Sequence, residues 1–276
     1  MPASLDPSNP SPRPRPWRLD EITLVDVRNR PPKVAVVPLG ATEPHNYHLP
    51  YGTDTFEANL VGDRICSAAY DRGADVVLLP PIPFGTETNL AGFPLAIDVR
   101  PATLHAVLDD VLRSLIDSGV DRIVLLNSHG GNTLKPYVRA APATHDAFVC
   151  LINWYAVLGA EYGEIFDVAE DHAGEFETSL MMIAADHLVV RNDDGTLRAD
   201  EAKTRPSRFE AIERGWVDIS RPWVHTTDSS GTANPHAATA DKGEQALKML
   251  EERLAPFLIK LSQTPRDESF PMESDE

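Results

Sequence analysis

Four ionisable side chains crowd into one short stretch of this sequence. Between Leu39 and Glu57 the chain reads LGATEPHNYHLPYGTDTFE, which sets Glu43, His45, His48 and Asp54 just beyond an apolar run, Val34 to Leu39. Gathering such groups is costly, because carboxylates repel one another and desolvated imidazoles want partners, unless a cation offsets them. Metal ligation is the first chemistry they suggest. Glu43 and His45 sit two apart, so in an extended segment both side chains leave the same face of the backbone. His129 stands in SHGGN, where Gly130 and Gly131 let the backbone approach a ligand closely. A third group, DHAGEFETS from Asp171, adds His172, Glu175 and Glu177. Two carboxylates with two imidazoles suit Zn, Mn, Fe or Ni better than Ca or Mg. One more acid from that third group would allow two metals bridged by Asp54. Paired ions about 3.5–4 Å apart hold a hydroxide between them and polarise a carbonyl, the usual means of hydrolysing an unactivated amide.

Each of these residues has a plainer role open to it. Asp54 fits an N-cap, with Glu57 three residues on completing a capping box, and such a role is compatible with ligation. His48, beside Leu49-Pro50, reads as a residue that orients a ligand by hydrogen bond. A loop histidine such as His129 is often merely satisfied by its neighbours. His172, Glu175 and Glu177 can open a helix, where acids favour the N-terminal dipole. What favours the chemical reading is their joint placement at strand ends. The Met181-Met182 pair reads as core.

The elements that must position them follow from the pattern. Val34–Leu39 is a continuous apolar run of strand length, as in a strand covered on both faces. A helix from about Asp54 to Arg72 follows the ligand-rich loop. Asp75–Leu79, Arg122–Asn127 (RIVLLN) and Phe148–Asn153 repeat the strand pattern. Helices are expected at Leu19–Arg28, at Pro101–Ser118 with Gly119 closing it, and near Thr133–Ala141. Beyond Trp154 the pattern turns helical, Asn192–Gly195 is a turn, and Lys203–Ser230 reads as irregular. A last amphipathic helix spans about Thr239–Leu261. Alternating strands and helices imply an α/β fold with a mainly parallel sheet between helical layers. Ligands of such sheets collect outside the carboxyl ends of the strands, where the loops after the first and third strands would meet.

Composition narrows the function classes. A chain of 276 residues can bury a substantial core. Its formal charge of -17 offers no basic field for phosphates, which argues against a nucleic-acid partner. Cys66 and Cys150 are far apart in apolar surroundings, so free thiols in a reducing cytoplasm are expected. No apolar run has the length of a membrane span, and the N-terminus lacks a signal-peptide core. Residues 1–16, rich in Pro, Ser and Arg, read as a disordered tail, and the acidic residues 263–276 as another. Residues 17–262 are then expected to form one domain.

The motifs themselves resemble those of a known family. EPHNYHLPYGTDT resembles the E-x-H-x-x-H-L-P-x-G-T-D-T signature of the creatininase, or creatinine amidohydrolase, family. SHGGN is similar to its G-H-G-G-N, HAGEFETSLMM to its H-A-G-x-x-E-T-S segment, and GTANPHAATADKGEQ to its C-terminal run. The likeness covers residues 17–262 in register. It implies a three-layer α/β/α fold, a centre of one or two divalent ions (Zn, Mn or Fe), a small-molecule substrate and hydrolysis of C–N bonds in cyclic or other amides. It also implies a homo-oligomer, with a hexamer the expected assembly. Carried over position by position, Glu43, Asp54 and His129 are expected on one metal, and His45 and Asp54 on the second. The family places a glutamate two residues after the loop histidine. Gly131 stands there instead, and Glu177 is the expected substitute. His172 is expected to handle protons or grip the substrate, with Glu177 and Glu175 as companions.

Departures from the family pattern bear on the substrate. In FGTETNLAGFPLAID, Asn89 and Leu90 replace the Glu-His pair, and Leu95-Ala96 the usual Gly-Thr. That loop should line the pocket, so Glu87 and Asn89, with Trp154, are the substrate-side candidates, and creatinine is not assigned. Relatives include formamide-cleaving deformylases and a peptidase-like member. Two other readings stay in view: a hydrolase of a modified sugar or lactone, and a non-catalytic metal-binding subunit, the latter motivated by Gly131.

Overall fold

A computed structural model describes residues 14–273. The first 13 residues of the expected proline-rich tail, and residues 274–276 of the acidic one, lie outside that range. Four parallel strands form one sheet in the order β2-β1-β3-β4: β1 Val34–Leu39, β2 Val76–Leu78, β3 Arg122–Asn127 and β4 Phe148–Asn153. All six residues of β1 and of β3 are buried, the requirement behind their unbroken apolar runs.

Alternate strand residues feed two cores. Val34, Val36, Val124 and Leu126 pack on one face against α2 (Thr53–Asp71), α6 (Glu175–Ala184) and α9 (Ala240–Gln263). Val37, Leu39, Ile123 and Leu125 pack on the other against α3 (Pro101–Asp117) and α4 (Lys135–Ala140). Helix α3 contributes a single stripe, Leu104, Leu108 and Leu112, spaced four apart and each buried. Each such leucine contributes on the order of 1.5–3 kcal/mol through the apolar area it hides. The result is the three-layer α/β/α arrangement.

Register matters more to function than layering. Leu39 pairs with Asn127, and Asn127 with Asn153, so three strands end on one row. The loops that carry Glu43, His129 and Trp154 therefore start side by side, tied by Ser128 N donating to Leu39 O at 2.9 Å. Shorter helices complete the path: α1 Leu24–Asn29, α5 Tyr162–Ile165, α7 Glu210–Glu213 and α8 Trp223–Thr226.

Three expectations change. Helix α1 starts five residues later than Leu19, because Trp17 and Leu19 bond the backbone of Leu78 and cover the β2 edge instead. The stretch 203–230, read as irregular, carries the short helices α7 and α8. Residues after Gln263 are not simply loose. Arg266 reaches Asp121 and Asp146, and Phe270 meets Phe148 edge-on, with ring centroids 5.0 Å apart. Both cysteines are free thiols.

A candidate metal centre at the strand ends

Asp54 is the second residue of α2, and the N-cap is Gly52, with no side-chain cap. No capping box forms with Glu57. Freed from capping, the Asp54 carboxylate turns to the loop after β1. Within that loop, Pro44 O accepts from Ser230 Oγ at 2.7 Å and from His172 Nε2 at 2.8 Å. Asn46 N in turn donates to Ser230 Oγ at 3.0 Å. Four residues in and around this network hold left-handed backbone without being glycine: Asn46 (φ 54°), Ala173 (φ 54°), Ala202 (φ 54°) and Ser230 (φ 69°).

Three imidazoles share one logic. His45 Nδ1 lies 3.0 Å from Glu43 O, which can only accept, so that nitrogen carries the hydrogen. Its Nε2 is left facing Asp54 Oδ1 at 3.8 Å and Glu177 Oε2 at 3.7 Å. His129 Nε2 lies between Thr86 O at 3.1 Å and Glu87 Oε1 at 2.9 Å, both acceptors. Its Nδ1 faces Glu43 Oε1 at 3.0 Å and Asp54 Oδ2 at 3.6 Å. His172 donates through Nε2 to Pro44 O and turns Nδ1 to Glu43 Oε1 at 3.6 Å. Each ring is fixed at one nitrogen by an acceptor and offers the other to a space bounded by carboxylates. That is how metal-bound histidines are oriented.

Burial and charge agree with this geometry. Both oxygens of Glu43, Asp54 Oδ2 and His45 Nε2 are buried without a hydrogen-bond partner. Orphaned charges of this kind are expensive unless a cation meets them. Burial opposes charge on His45, yet Asp54 and Glu177 outweigh it and raise the imidazole to about 10. His129 is raised well above its ordinary value against burial, with Glu43 foremost. Burial would raise Asp54, but His45 and His129 hold it at about 2. Glu43 goes up, because burial there exceeds what His129 restores. The field invites positive charge at His45 Nε2 and His129 Nδ1. His172 is pushed well below its usual value by burial and then by His45, so it stays neutral.

Ligand atoms of three trios lie within 4.8 Å of one another: Glu43, Asp54 and His129; His45, Asp54 and Glu177; Glu43, His45 and His172. Asp54 belongs to two of them. Gly131 cannot supply a further ligand, since a Cβ there would stand 2.2 Å from His129 Nε2 and 2.3 Å from Thr86 O. Glu177 comes in from α6, its Oε2 accepting from Ala173 N at 2.6 Å. Burial, opposed by His45, raises its carboxyl to about 7.

Two of the other candidates, Glu175 and His48, sit away from the cavity. Glu175 turns to α9, where it accepts from Lys242 Nζ, and from Asp167 N at 2.9 Å. Two residues from Glu177 on a helix, it faces away from the trios and ties elements together rather than meeting the cavity. His48 Nε2 is 2.8 Å from Thr178 Oγ1, and no hydrogen bond joins it to a trio residue. Glu87 lines the cavity too, buried, with Oε1 2.9 Å from His129 Nε2. Asn89 lines the cavity, but its Oδ1 is taken by Arg221 N at 2.8 Å. Trp154 also lines it while 1% exposed and packed edge-on to Phe176.

Three residues, Glu170, Arg221 and Trp223, escaped the sequence reading, and Glu57 entered it only as a capping partner. Glu170 accepts from Phe176 N at 2.8 Å and Glu177 N at 3.0 Å, capping α6 from outside. Burial, then Glu177, lifts it to about 8. Glu57 is wholly buried with neither oxygen partnered, and burial lifts its carboxyl far up. Arg221 and Trp223 line the cavity from a stretch with no motif. Only Glu57 left a trace in sequence, as an acid one helical turn after Asp54.

Fold and cluster define an α/β/α protein with a carboxylate–imidazole pocket outside the carboxyl ends of its strands. The profile of the creatininase family, described as creatinine amidohydrolase, matches residues 20–258. The chain belongs to the creatininase family, whose members are hydrolases. It is 33% identical over 171 residues to a mycofactocin precursor peptide peptidase of Mycolicibacterium smegmatis, a match covering 58% of this chain and 63% of that protein. The chain thus spans under two thirds of that relative. A protein of Bacteroides fragilis NCTC 9343 assigned as a creatinine amidohydrolase superposes with TM-score 0.81 at 33% identity, covering 91% of this chain and 98% of that one. A manganese creatininase superposes with TM-score 0.69 at 21% identity, over 90% and 99%, and shares the fold.

Proposed function

We propose that this chain is a divalent-metal-dependent amidohydrolase that cleaves a C–N bond of a cyclic amide or formamide. One observation carries the reading: three imidazoles, each fixed at one nitrogen by an acceptor, turn the other toward the carboxylates of Glu43, Asp54 and Glu177, among which both Glu43 oxygens and Asp54 Oδ2 are buried without a donor. Glu43, Asp54 and His129 would hold one ion, and His45, Asp54 and Glu177 the second, with Zn, Mn or Fe matching the donor set. Bound there, divalent ions supply an activated water and a polarised carbonyl. The remaining work falls to side chains. Glu87 holds His129 in one orientation through Nε2. His172, neutral and with its Nε2–H held by Pro44 O, would use the Nδ1 lone pair to take a proton from the attacking water and hand it on to the leaving nitrogen. A cavity of about 520 Å³ beside these residues suits a small substrate. The family likeness supports a homo-oligomer, which light scattering reads directly. No helix among the described residues is long and apolar enough to cross a membrane.

The test joins metal analysis to a substrate screen. Purified protein is expected to carry Zn, Mn or Fe, and Asp54→Ala to lose metal and activity together. Retained stoichiometry in that variant would reject the shared role of Asp54. Bound metal without turnover of any cyclic amide, formamide or short peptide would instead favour a sugar or lactone hydrolase, or a binding subunit.

A further inference from the structure

The cavity wall has a second chemistry beside the acidic one. Arg221 is the only arginine or lysine among the described residues that line it. Its backbone N donates to Asn89 Oδ1 at 2.8 Å, and Trp223 N donates to Asn89 O at 3.1 Å. Asn89 therefore pins the segment at both residues, at the position where the sequence departs from its family. The guanidinium carbon lies 5.0 Å from the centroid of the Trp223 ring, and Nη1 donates to Asp171 Oδ2 at 2.5 Å. That ion pair is half-exposed and engages one of five N–H groups. Exposed pairs of this kind exchange readily for another carboxylate.

Two buried indoles point the same way. Trp223 Nε1 and Trp154 Nε1 are buried without an acceptor, and both residues line the cavity. A buried N–H in a pocket finds its partner in solvent or in a ligand. A small neutral amide uses its carbonyl at the acidic cluster and has nothing to offer these donors. A planar carboxylate matches a guanidinium fork whose neighbouring indole ring still has an N–H without an acceptor.

We propose that Arg221, backed by the indole N–H of Trp223 and held by Asn89, binds a carboxylate of the substrate, so that the amides this enzyme takes carry an anionic group away from the scissile bond. This rests on the amidohydrolase reading. Glu43, Asp54 and Glu177 repel an anion unless neutralised, so the metal-loaded protein is the one to examine.

Calorimetry with paired probes, N-formylglycine and its neutral amide N-formylglycinamide, tests it in wild type, Arg221→Lys, Arg221→Gln and Trp223→Phe. Wild type is expected to bind the acid about 10–100-fold more tightly than the amide, as one charge-assisted contact provides. Arg221→Gln should erase that preference, Arg221→Lys should retain part of it, and Trp223→Phe, which keeps an aromatic face and removes the N–H, should weaken it several-fold. Equal binding of acid and amide, a preference surviving Arg221→Gln, or no detectable binding of the acid would each overturn the proposal. Because binding is read without turnover, a failure to hydrolyse either probe counts against the amidohydrolase reading alone.

Discussion

Gly131→Ala is the most economical perturbation of this site. The added Cβ would meet His129 Nε2 at 2.2 Å and the backbone carbonyl of Thr86 at 2.3 Å, where ordinary contact begins near 3.4 Å. One neighbour is main chain, so the histidine ring has to give way, by about 1 Å or more. Metal–nitrogen bonds of 2.0–2.1 Å tolerate about 0.2 Å of error, so such a shift takes Nδ1 out of reach. Overpacking alone costs about 1–3 kcal/mol, or roughly 2–10 °C in Tm. Metal affinity should fall by at least about 100-fold, beyond the range for loss of an outer partner. Metal stoichiometry after dialysis against graded chelator, set beside a melting curve with and without added metal, measures both effects. Wild-type metal retention together with a Tm shift below about 1 °C would refute the reasoning, because it would mean that the ring need not occupy that space. Restoring the family's glutamate at 131 should fail for the same steric reason.

The remaining expectations concern α6 and the fixed histidine beyond it. Glu177→Gln should reduce about two bound ions per chain to about one, since Glu43, Asp54 and His129 form a trio without it; loss of both ions, or of neither, would contradict that division. His48 is held neutral, its value pushed down to about 3 by burial and then by His45 and His236. The unfolded chain protonates that ring near pH 6.5. Its contribution is therefore fully present above about 6.5 and is lost as pH falls toward 3, at up to about 1.4 kcal/mol per pH unit. Urea denaturation of His48→Gln between pH 4.5 and 7 should show a shallower decline than wild type, and identical slopes would count against it.

β1 and β3 were legible because burial on both faces leaves little room for polar residues, whereas β4, with five of its six residues only partly buried, showed through its apolar and β-branched content. Val34–Leu39, Arg122–Asn127 and Phe148–Asn153 are each bounded where their apolar or β-branched residues run out. Where the reading slipped, a tertiary contact prevailed over local preference. Trp17 and Leu19 pair with Leu78 instead of winding into a helix, and α9 continues past Leu261 because Ser262 Oγ accepts from Asp75 N at 2.9 Å. In the site, Glu43, His45, Asp54 and His129 could be listed from sequence because each follows a strand or opens a helix at one sheet edge. Glu175 was grouped with Glu177 by proximity in sequence, but residues two apart on a helix point to different sides. Arg221 and Trp223 reach the cavity through hydrogen bonds to Asn89, more than a hundred residues away, and no spacing rule encodes such a meeting.

Left-handed backbone at Asn46, Ala173, Ala202 and Ser230 costs about 1–2 kcal/mol each in a residue that bears a Cβ. Two of these positions, Asn46 and Ala173, adjoin His45 and His172. Glycine in place of Ala173 would relax the chain and also release the ring beside it to swing. Robustness and competence therefore pull in opposite directions at the centre of this molecule. Sturdier variants are better sought along α9, where no reactive group depends on the conformation of the chain.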